Sequence, residues 1–196
     1  MPATYDLEPA ATAVKSLLPQ VSDDQLGAPT PCADTSVADL LFHVLGLSTA
    51  FRDAARKKFG PATSTSPTDV ATDLPQDWRQ QIEERLDELV VAWRDPQGWD
   101  GMTQAGGVEL PGAVAGQVAL NELVIHGWDL ARATGQSFTA DDETLQGSHD
   151  LLIASQDPAD REGMFGPVVE VPAEAPLLDR VVGLSGRDPG WSAAQG

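Results

Sequence analysis

Apolar residues recur with the three-and-four spacing of α-helices in five stretches of the chain. Proline, glycine or a capping residue bounds each stretch, as expected at helix ends. The first three quarters of the sequence show no comparable two-residue alternation, so we expect helices to dominate the fold. The predicted helices run roughly over 7–18, 37–58, 78–93, 112–133 and 142–155.

The segments between and after these helices differ in composition. The loop 61–75 is polar and rich in threonine, serine, aspartate and proline, which indicates a mobile connection or a crossover between helices. The loop 97–111 is rich in glycine and either lines a pocket or only connects two helices. After the fifth helix we predict an extended segment over 165–172, a short helix over 177–184 and a frayed stretch in the last ten residues.

These elements predict an all-α fold, a helical bundle with a C-terminal extension. We expect residues 1–155 to form the bundle. Residues 156–196 are expected to form a strap that packs on the bundle and is not an independent domain. At 196 residues the chain is long enough to bury a core of its own.

The fourth predicted helix carries three polar residues on its apolar side. At about 100° per residue, Glu122, His126 and Asp129 fall within the arc of leucine, valine, isoleucine and alanine side chains. Burying a carboxylate and an imidazole is costly unless they are paired or bind a metal. The spacing of Glu122 and His126 therefore predicts either an intrahelical hydrogen bond or a metal site. The solvent-facing arc is predicted to hold Gln117, Asn121, Trp128 and Arg132.

His43 lies in the second predicted helix, also on an apolar face. A lone histidine in such a place is commonly a core residue that donates to a backbone carbonyl. Adjacent bundle helices, however, bring mid-helix positions to the same level, so His43 can meet Glu122 and His126. Two imidazoles and a carboxylate suit zinc and leave one position open, which is the catalytic form of a zinc site. Asp129 would either accept a hydrogen bond from His126 or pair with a basic side chain.

Other polar residues carry weaker signals. His149 is predicted to lie on a solvated helix face, and Cys32 to be a small packing residue, with an activated thiol near a helix N-terminus as the alternative. The pair Gly106-Gly107 is typical of a turn. The sequence holds no G-x-S-x-G, C-x-x-C, H-E-x-x-H or G-x-G-x-x-G motif, so hydrolase triads and dinucleotide binding have little support.

Charge and cysteine content narrow the choice of partners. The chain carries 30 acidic against 12 basic residues, a formal net charge of -18. This disfavours broad contact with nucleic acid or anionic lipid, so we predict small-molecule or protein partners, no nucleic acid and no membrane. A single cysteine excludes an intramolecular disulfide and is typical of a reducing compartment. Because we see neither a secretory signal nor an apolar run of about 18 residues, we predict a cytoplasmic protein.

Three blocks of the sequence resemble a known family. The blocks are Thr30-Pro-Cys32 with Val37-Ala-Asp-Leu-Leu-Phe-His43, the stretch from Asn121 to Gly135, and Gly186-Arg-Asp-Pro189. They are similar to the actinobacterial, metal-binding branch of the DinB-like superfamily, which is related to the mycothiol-dependent maleylpyruvate isomerase N-terminal domain. The family often has a tryptophan between the cysteine and the second helix, where this chain has Asp34-Thr-Ser36.

The resemblance implies a DinB-like four-helix bundle with up-down-down-up topology and one extra helix. It implies a divalent metal at His43, Glu122 and His126, usually zinc with nickel as the alternative, and Asp129 orienting His126. Characterised relatives are isomerases and S-transferases that use a low-molecular-weight thiol such as mycothiol. The expected function is therefore metal-dependent thiol transfer to, or isomerisation of, a small electrophile.

Two other interpretations stay open at this point. The chain could bind or sense a metal without catalysis, or its site could hold no metal at all. The sequence indicates no general acid and names neither the thiol nor the electrophile. It also leaves open whether the chain forms a homodimer.

Overall fold

Eight α-helices and one β-hairpin make up the part of the chain that the structure describes. This computed structural model describes residues 4–65, 74–155, 161 and 165–193. The helices are α1 Glu8–Leu17, α2 Val37–Ala55, α3 Pro61–Ser64, α4 Trp78–Trp93, α5 Pro96–Trp99, α6 Gly112–Ala133, α7 Asp142–Ala154 and α8 Leu177–Leu184. The strands are β1 Met102–Ala105 and β2 Val108–Pro111, and two 3₁₀ turns span Leu18–Gln20 and Asp23–Gln25.

Helices α1, α2, α4 and α6 form the predicted four-helix bundle, and contacts between them fix their directions. Helix α1 is antiparallel to α4, α2 is antiparallel to α6, and α1 and α6 run the same way, which gives the up-down-down-up topology. The contacts that show this are Lys15 with Asp87 and Glu8 with Arg94 (α1 and α4), His43 with Glu122 and Lys57 with Gly112 (α2 and α6), and Val14 with Gly127 and Leu17 with Gln136 (α1 and α6).

Most helix predictions are confirmed, because the ends carry strong local signals. The helices predicted over 78–93, 112–133 and 177–184 have those bounds. Helix α2 begins after Ser36 with a capping box: the Ser36 hydroxyl accepts from the Asp39 N–H, and the Asp39 carboxylate accepts from the Ser36 N–H. It ends at Ala55, slightly before the predicted end near residue 58.

The two predicted connectors contain more structure than expected. Helix α3 begins the loop 61–75, of which residues 66–73 lie outside the described part. The loop 97–111 contains most of α5 and the whole hairpin, whose strands the sequence pattern did not indicate. Gly106 and Gly107 have φ of 58° and 80° and form the two-residue turn, while Ala105 pairs with Val108. Four-residue strands are too short for their alternation to stand out in the sequence.

The predicted solvent face of α6 is wrong at two positions. Asn121 is only 1% exposed and Trp128 only 4%. The Ser148 hydroxyl of α7 donates to the Asn121 side-chain carbonyl over 2.6 Å, so α7 packs on this face. The periodicity of α6 could not indicate this, because it does not show how many neighbours the helix has.

The C-terminal residues pack on the bundle. Val181 and Val182 of α8 belong to the same hydrophobic cluster as the bundle core. Residues 165–172 have no regular secondary structure, although the Val169 N–H donates to the Gly183 carbonyl. The prediction of frayed last residues is wrong at Arg187 and Trp191, which make the hydrogen bonds described below, and residues 194–196 lie outside the described part. The division into a bundle over 1–155 and a strap over 156–196 stays a prediction.

Within the described ranges, no helix combines the length and the apolar character that a membrane crossing requires.

Two helical glycines provide a matched test of this packing. A Cβ at Gly127 of α6 would lie 2.5 Å from Phe138, whereas a Cβ at Gly46 of α2 would meet nothing within 4 Å. We expect Gly127→Ala to lower the free energy of unfolding by about 1–3 kcal/mol through overpacking. Gly46→Ala is expected to raise it by about 0.5–1 kcal/mol. Urea denaturation of the metal-free protein measures both, and equal effects of the two substitutions would contradict the packing described.

Candidate metal centre

The bundle brings His43, Glu122 and His126 together. His43 lies in the middle of α2 and the other two in the middle of α6, and these helices are antiparallel neighbours. One ligand atom from each side chain lies within 4.8 Å of the others. Glu122 Oε2 is 3.2 Å from His43 Nε2 and 3.1 Å from His126 Nε2. The imidazoles meet edge to face, with 4.7 Å between ring centroids.

Asp129 contacts both an imidazole and a basic side chain. Its Oδ2 lies 3.0 Å from His126 Nδ1, so the Nε2 of this histidine is directed towards Glu122. The same carboxylate accepts from Arg187, whose Nη2 is 3.1 Å from Oδ2 and whose Nε is 3.3 Å from Oδ1. Asp129 is fully buried. The carboxylate is therefore held by an imidazole on one side and a guanidinium on the other.

Arg187 was not among the residues predicted to form the site. It lies after α8, in the Gly186-Arg-Asp-Pro189 block that contributes to the family resemblance. That block was the available signal, but no spacing rule connects a residue after α8 with one in α6. Burial lowers the pKa of this guanidinium, but attraction and hydrogen bonding to Asp129, together with the charges of Cys32 and Glu122, outweigh burial and raise it.

The ionisation of the metal-free cluster follows from its charges. Burial favours a raised pKa for Glu122, but attraction to His126 and hydrogen bonds with His126 and His43 outweigh it, so the pKa lies far below its usual range. Burial likewise favours a lowered pKa for His126. The charge of Glu122, with hydrogen bonds to Asp129 and Glu122, instead raises the pKa of His126 to about 10. Near neutral pH, His126 of the metal-free cluster is therefore a positively charged imidazolium.

The two remaining candidates lie outside this cluster. Cys32 is a free, partly exposed cysteine, so it is less buried than predicted. His149 is more buried than predicted, with 17% of its side chain exposed. Its Nδ1 is 3.8 Å from Asp150 Oδ1 and has no hydrogen-bond partner among the described residues.

The donor set fits a divalent transition metal. Two imidazole nitrogens and one carboxylate oxygen are the ligand types that zinc takes in three-residue sites, and the hydrogen bond from His126 to Asp129 is the outer contact that such ligands usually make. A mixed nitrogen and oxygen site also accepts nickel. That these residues bind a metal stays a prediction.

Comparison with known sequences points to one family. The sequence profile of the family described as Mycothiol maleylpyruvate isomerase N-terminal domain matches residues 7–131. That range includes His43, Glu122, His126 and Asp129 but not Arg187. Two uncharacterized proteins, from two strains of Mycobacterium tuberculosis, are each 30% identical over 134 residues, which is 68% of this chain and 68% of theirs.

Solved structures show the same fold. A mycothiol-dependent maleylpyruvate isomerase superposes with a TM-score of 0.66 at 18% identity, over 92% of this chain and 86% of that one. A histidine-to-alanine variant of a mycothiol-dependent maleylpyruvate isomerase gives 0.59 at 17% identity, over 74% of this chain and 66% of that one.

The raised pKa of His126 predicts how the stability of the metal-free protein varies with pH. A group whose pKa is higher in the folded state stabilises that state below its unfolded pKa, 6.5, and loses this contribution as pH rises towards its folded pKa, about 10. We expect the free energy of unfolding to fall between pH values near 7 and near 9 in chelator-treated protein. In His126→Gln the free energy of unfolding should lack the share of this decrease that comes from the His126 imidazole. Equal falls in both proteins, measured by urea denaturation, would contradict the assignment.

Proposed function

The chain belongs to the Mycothiol maleylpyruvate isomerase N-terminal domain family, and from this premise we propose that it is a divalent-metal-dependent enzyme of thiol chemistry. The reaction is either transfer of a low-molecular-weight thiol to a small electrophile or isomerisation of that electrophile with the thiol's help. Zinc is the proposed metal, nickel the alternative, and mycothiol the proposed thiol.

The observation that carries this proposal is the partial exposure of the three-residue cluster. The side chains of His43 and Glu122 are 27% and 23% exposed, whereas that of His126 is 10% exposed. A structural zinc site is closed by four protein ligands, but this cluster offers three and is reached by solvent. An accessible site with one ligand position left over favours a catalytic role over a purely structural one.

Each residue has a proposed task in this centre. His43, Glu122 and His126 would hold the metal, and Asp129 would keep His126 in the tautomer that presents Nε2. When bound, the metal would lower the pKa of a thiol at its open position and so supply a thiolate nucleophile at neutral pH. Arg187 would balance the buried charge of Asp129. We assign no general acid.

The charge of the site favours an anionic substrate. A dication with one carboxylate and two neutral imidazoles has a net charge of plus one, while Asp129 and Arg187 cancel. The rest of the chain is strongly acidic, with a formal net charge of -18. A locally positive centre on an acidic protein attracts small anions to the site while the surface repels nucleic acid. The proposed partners are therefore small molecules. The cytoplasmic location stays a prediction, and whether the chain forms a homodimer stays open.

Metal content is the first test of this proposal. We expect about one zinc or nickel per chain, by plasma mass spectrometry, in protein purified without a chelator or a metal-affinity tag. His126→Ala and Glu122→Gln should lose it, because each removes one of three ligands. His149→Ala is the matched control, since it removes a histidine outside the cluster. An unloaded wild-type protein that also takes up no added zinc would refute the proposal.

Thiol-dependent turnover separates an enzyme from a metal-binding protein. Zinc-loaded wild-type protein, mycothiol and a panel of small anionic electrophiles, maleylpyruvate among them, should show thiol consumption or isomerisation above the uncatalysed rate. Glu122→Gln should return the rate to that background, while His149→Ala should keep it. Bound metal with no thiol-dependent rate for any electrophile in the panel would leave the metal-binding or metal-sensing interpretation in its place.

A further inference from the structure

Two arginines hold the backbone of the C-terminal turn, which we define as residues 184–191. Arg132, in the last turn of α6, donates from Nε over 2.9 Å and from Nη2 to the Trp191 carbonyl oxygen. Arg161, only 4% exposed, donates from Nη2 to the Leu184 carbonyl over 2.7 Å. Each end of the turn is therefore bound by a guanidinium group.

Arg161 also joins the turn to an earlier part of the chain. Its Nε and Nη2 donate to the Gly166 carbonyl over 3.0 and 2.5 Å. Beside this carbonyl Gly186 has a φ of 89°, and a Cβ at that position would lie 2.8 Å from the Gly166 backbone. The turn and residue 166 are thus in backbone contact, and Arg161 binds a carbonyl of both.

Arg187 lies between the two held ends. Its two bonds to Asp129 engage both carboxylate oxygens, a bidentate geometry that tolerates little displacement. The Arg187 N–H donates to the Val182 carbonyl, and its Nη1 donates to the Ser185 carbonyl. A shift of the turn would therefore move the guanidinium off Asp129.

We propose that Arg132 and Arg161, which we call the clamp arginines, are positioning residues for the metal centre. By fixing the backbone on both sides of Arg187 they keep its guanidinium on Asp129, and through Asp129 they keep the His126 imidazole oriented. The hydrogen bonds described for the clamp arginines go to backbone carbonyls and not to His43, Glu122 or His126. This inference rests on the proposed metal centre, but its geometric part can be tested without metal.

The first experiment follows the Nε–H signal of Arg187 by ¹⁵N NMR in metal-free protein. The signal is assigned by its loss in Arg187→Met. We expect Arg132→Met and Arg161→Met to shift it or lose it to exchange with solvent. Arg79→Met is the matched control, because Arg79 also donates to two backbone carbonyls, those of Leu18 and Val21, away from the turn.

Folding of each variant is checked in the same spectra. The Nε–H of Arg52, which donates to Asp53 over 2.9 Å within the bundle, should be unchanged in every variant. Where a methionine variant also loses this signal, the lysine variant at the same position replaces it, since lysine keeps the charge but not the planar donor pair. An unshifted Arg187 signal in folded clamp variants would overturn the proposal.

The second experiment measures zinc affinity by competition with a chelator. Removing an outer partner of a metal ligand typically costs about 10- to 100-fold in affinity, so we expect a loss of about tenfold in Arg187→Met. Each clamp variant should lose up to that amount, and Arg79→Met nothing. The visible spectrum of cobalt(II)-loaded protein should change most in Arg187→Met, less in each clamp variant, and not at all in Arg79→Met.

Double variants separate positioning from a general structural effect. If the clamp arginines act through Arg187, adding Arg132→Met or Arg161→Met to Arg187→Met should cause no further loss of zinc affinity. Additive losses would overturn the proposal. Wild-type protein that binds no zinc would refute the proposed function alone, because the Arg187 signal still decides whether the clamp arginines position that residue.

Discussion

Asp129 has no exposed surface, and a carboxylate in that position costs several kcal/mol unless cations and donors surround it. Two helical turns earlier, Glu122 adds a second carboxylate on the same side of α6. Within α6 itself, the only compensating group described between these two carboxylates is the His126 imidazole. The other compensating groups come from far away in the chain: His43 from α2 and Arg187 from the segment after α8. Compensating these two acids thus requires both α2 and the C-terminal segment to pack against this side of α6.

The same cluster can be balanced in two ways. Without metal, the protonated His126 ring lies between Glu122, which faces Nε2, and Asp129, which faces Nδ1. Arg187 supplies the second positive charge. With metal, the dication would take the place of that proton near Glu122 while the Arg187 pair is unchanged. The proposed ligands would therefore be arranged before a metal arrives, since Asp129 contacts the ring that would present Nε2. Metal binding at such a site would require little reorganisation of the protein.

Sequence periodicity predicts the bundle well and the site in part. The Ser36–Asp39 capping box and the proline and glycine boundaries locate the long helices, and helical spacing places Glu122, His126 and Asp129 on one side of α6. Their meeting with His43 follows from bundle geometry. Periodicity does not show that α7 contacts Asn121 or that Trp128 is buried, because it records only whether a face is apolar or polar. Arg187 was beyond prediction, since its contact depends on where the chain travels after α8.

The clamp arginines bind carbonyl oxygens, not side chains. Every residue has a carbonyl, so their hold on the C-terminal turn does not depend on which side chains the turn carries. The side chains that do have a fixed part are Arg187, the buried Ser185 hydroxyl, which donates to the Val182 carbonyl, and the core contacts of Leu184 and Trp191, while Gly186 is fixed by its positive φ and close contact. The exposed side chains of this turn are free to diverge or to be redesigned without undocking it. The turn can therefore vary in sequence at those positions while the guanidinium of Arg187 stays on Asp129.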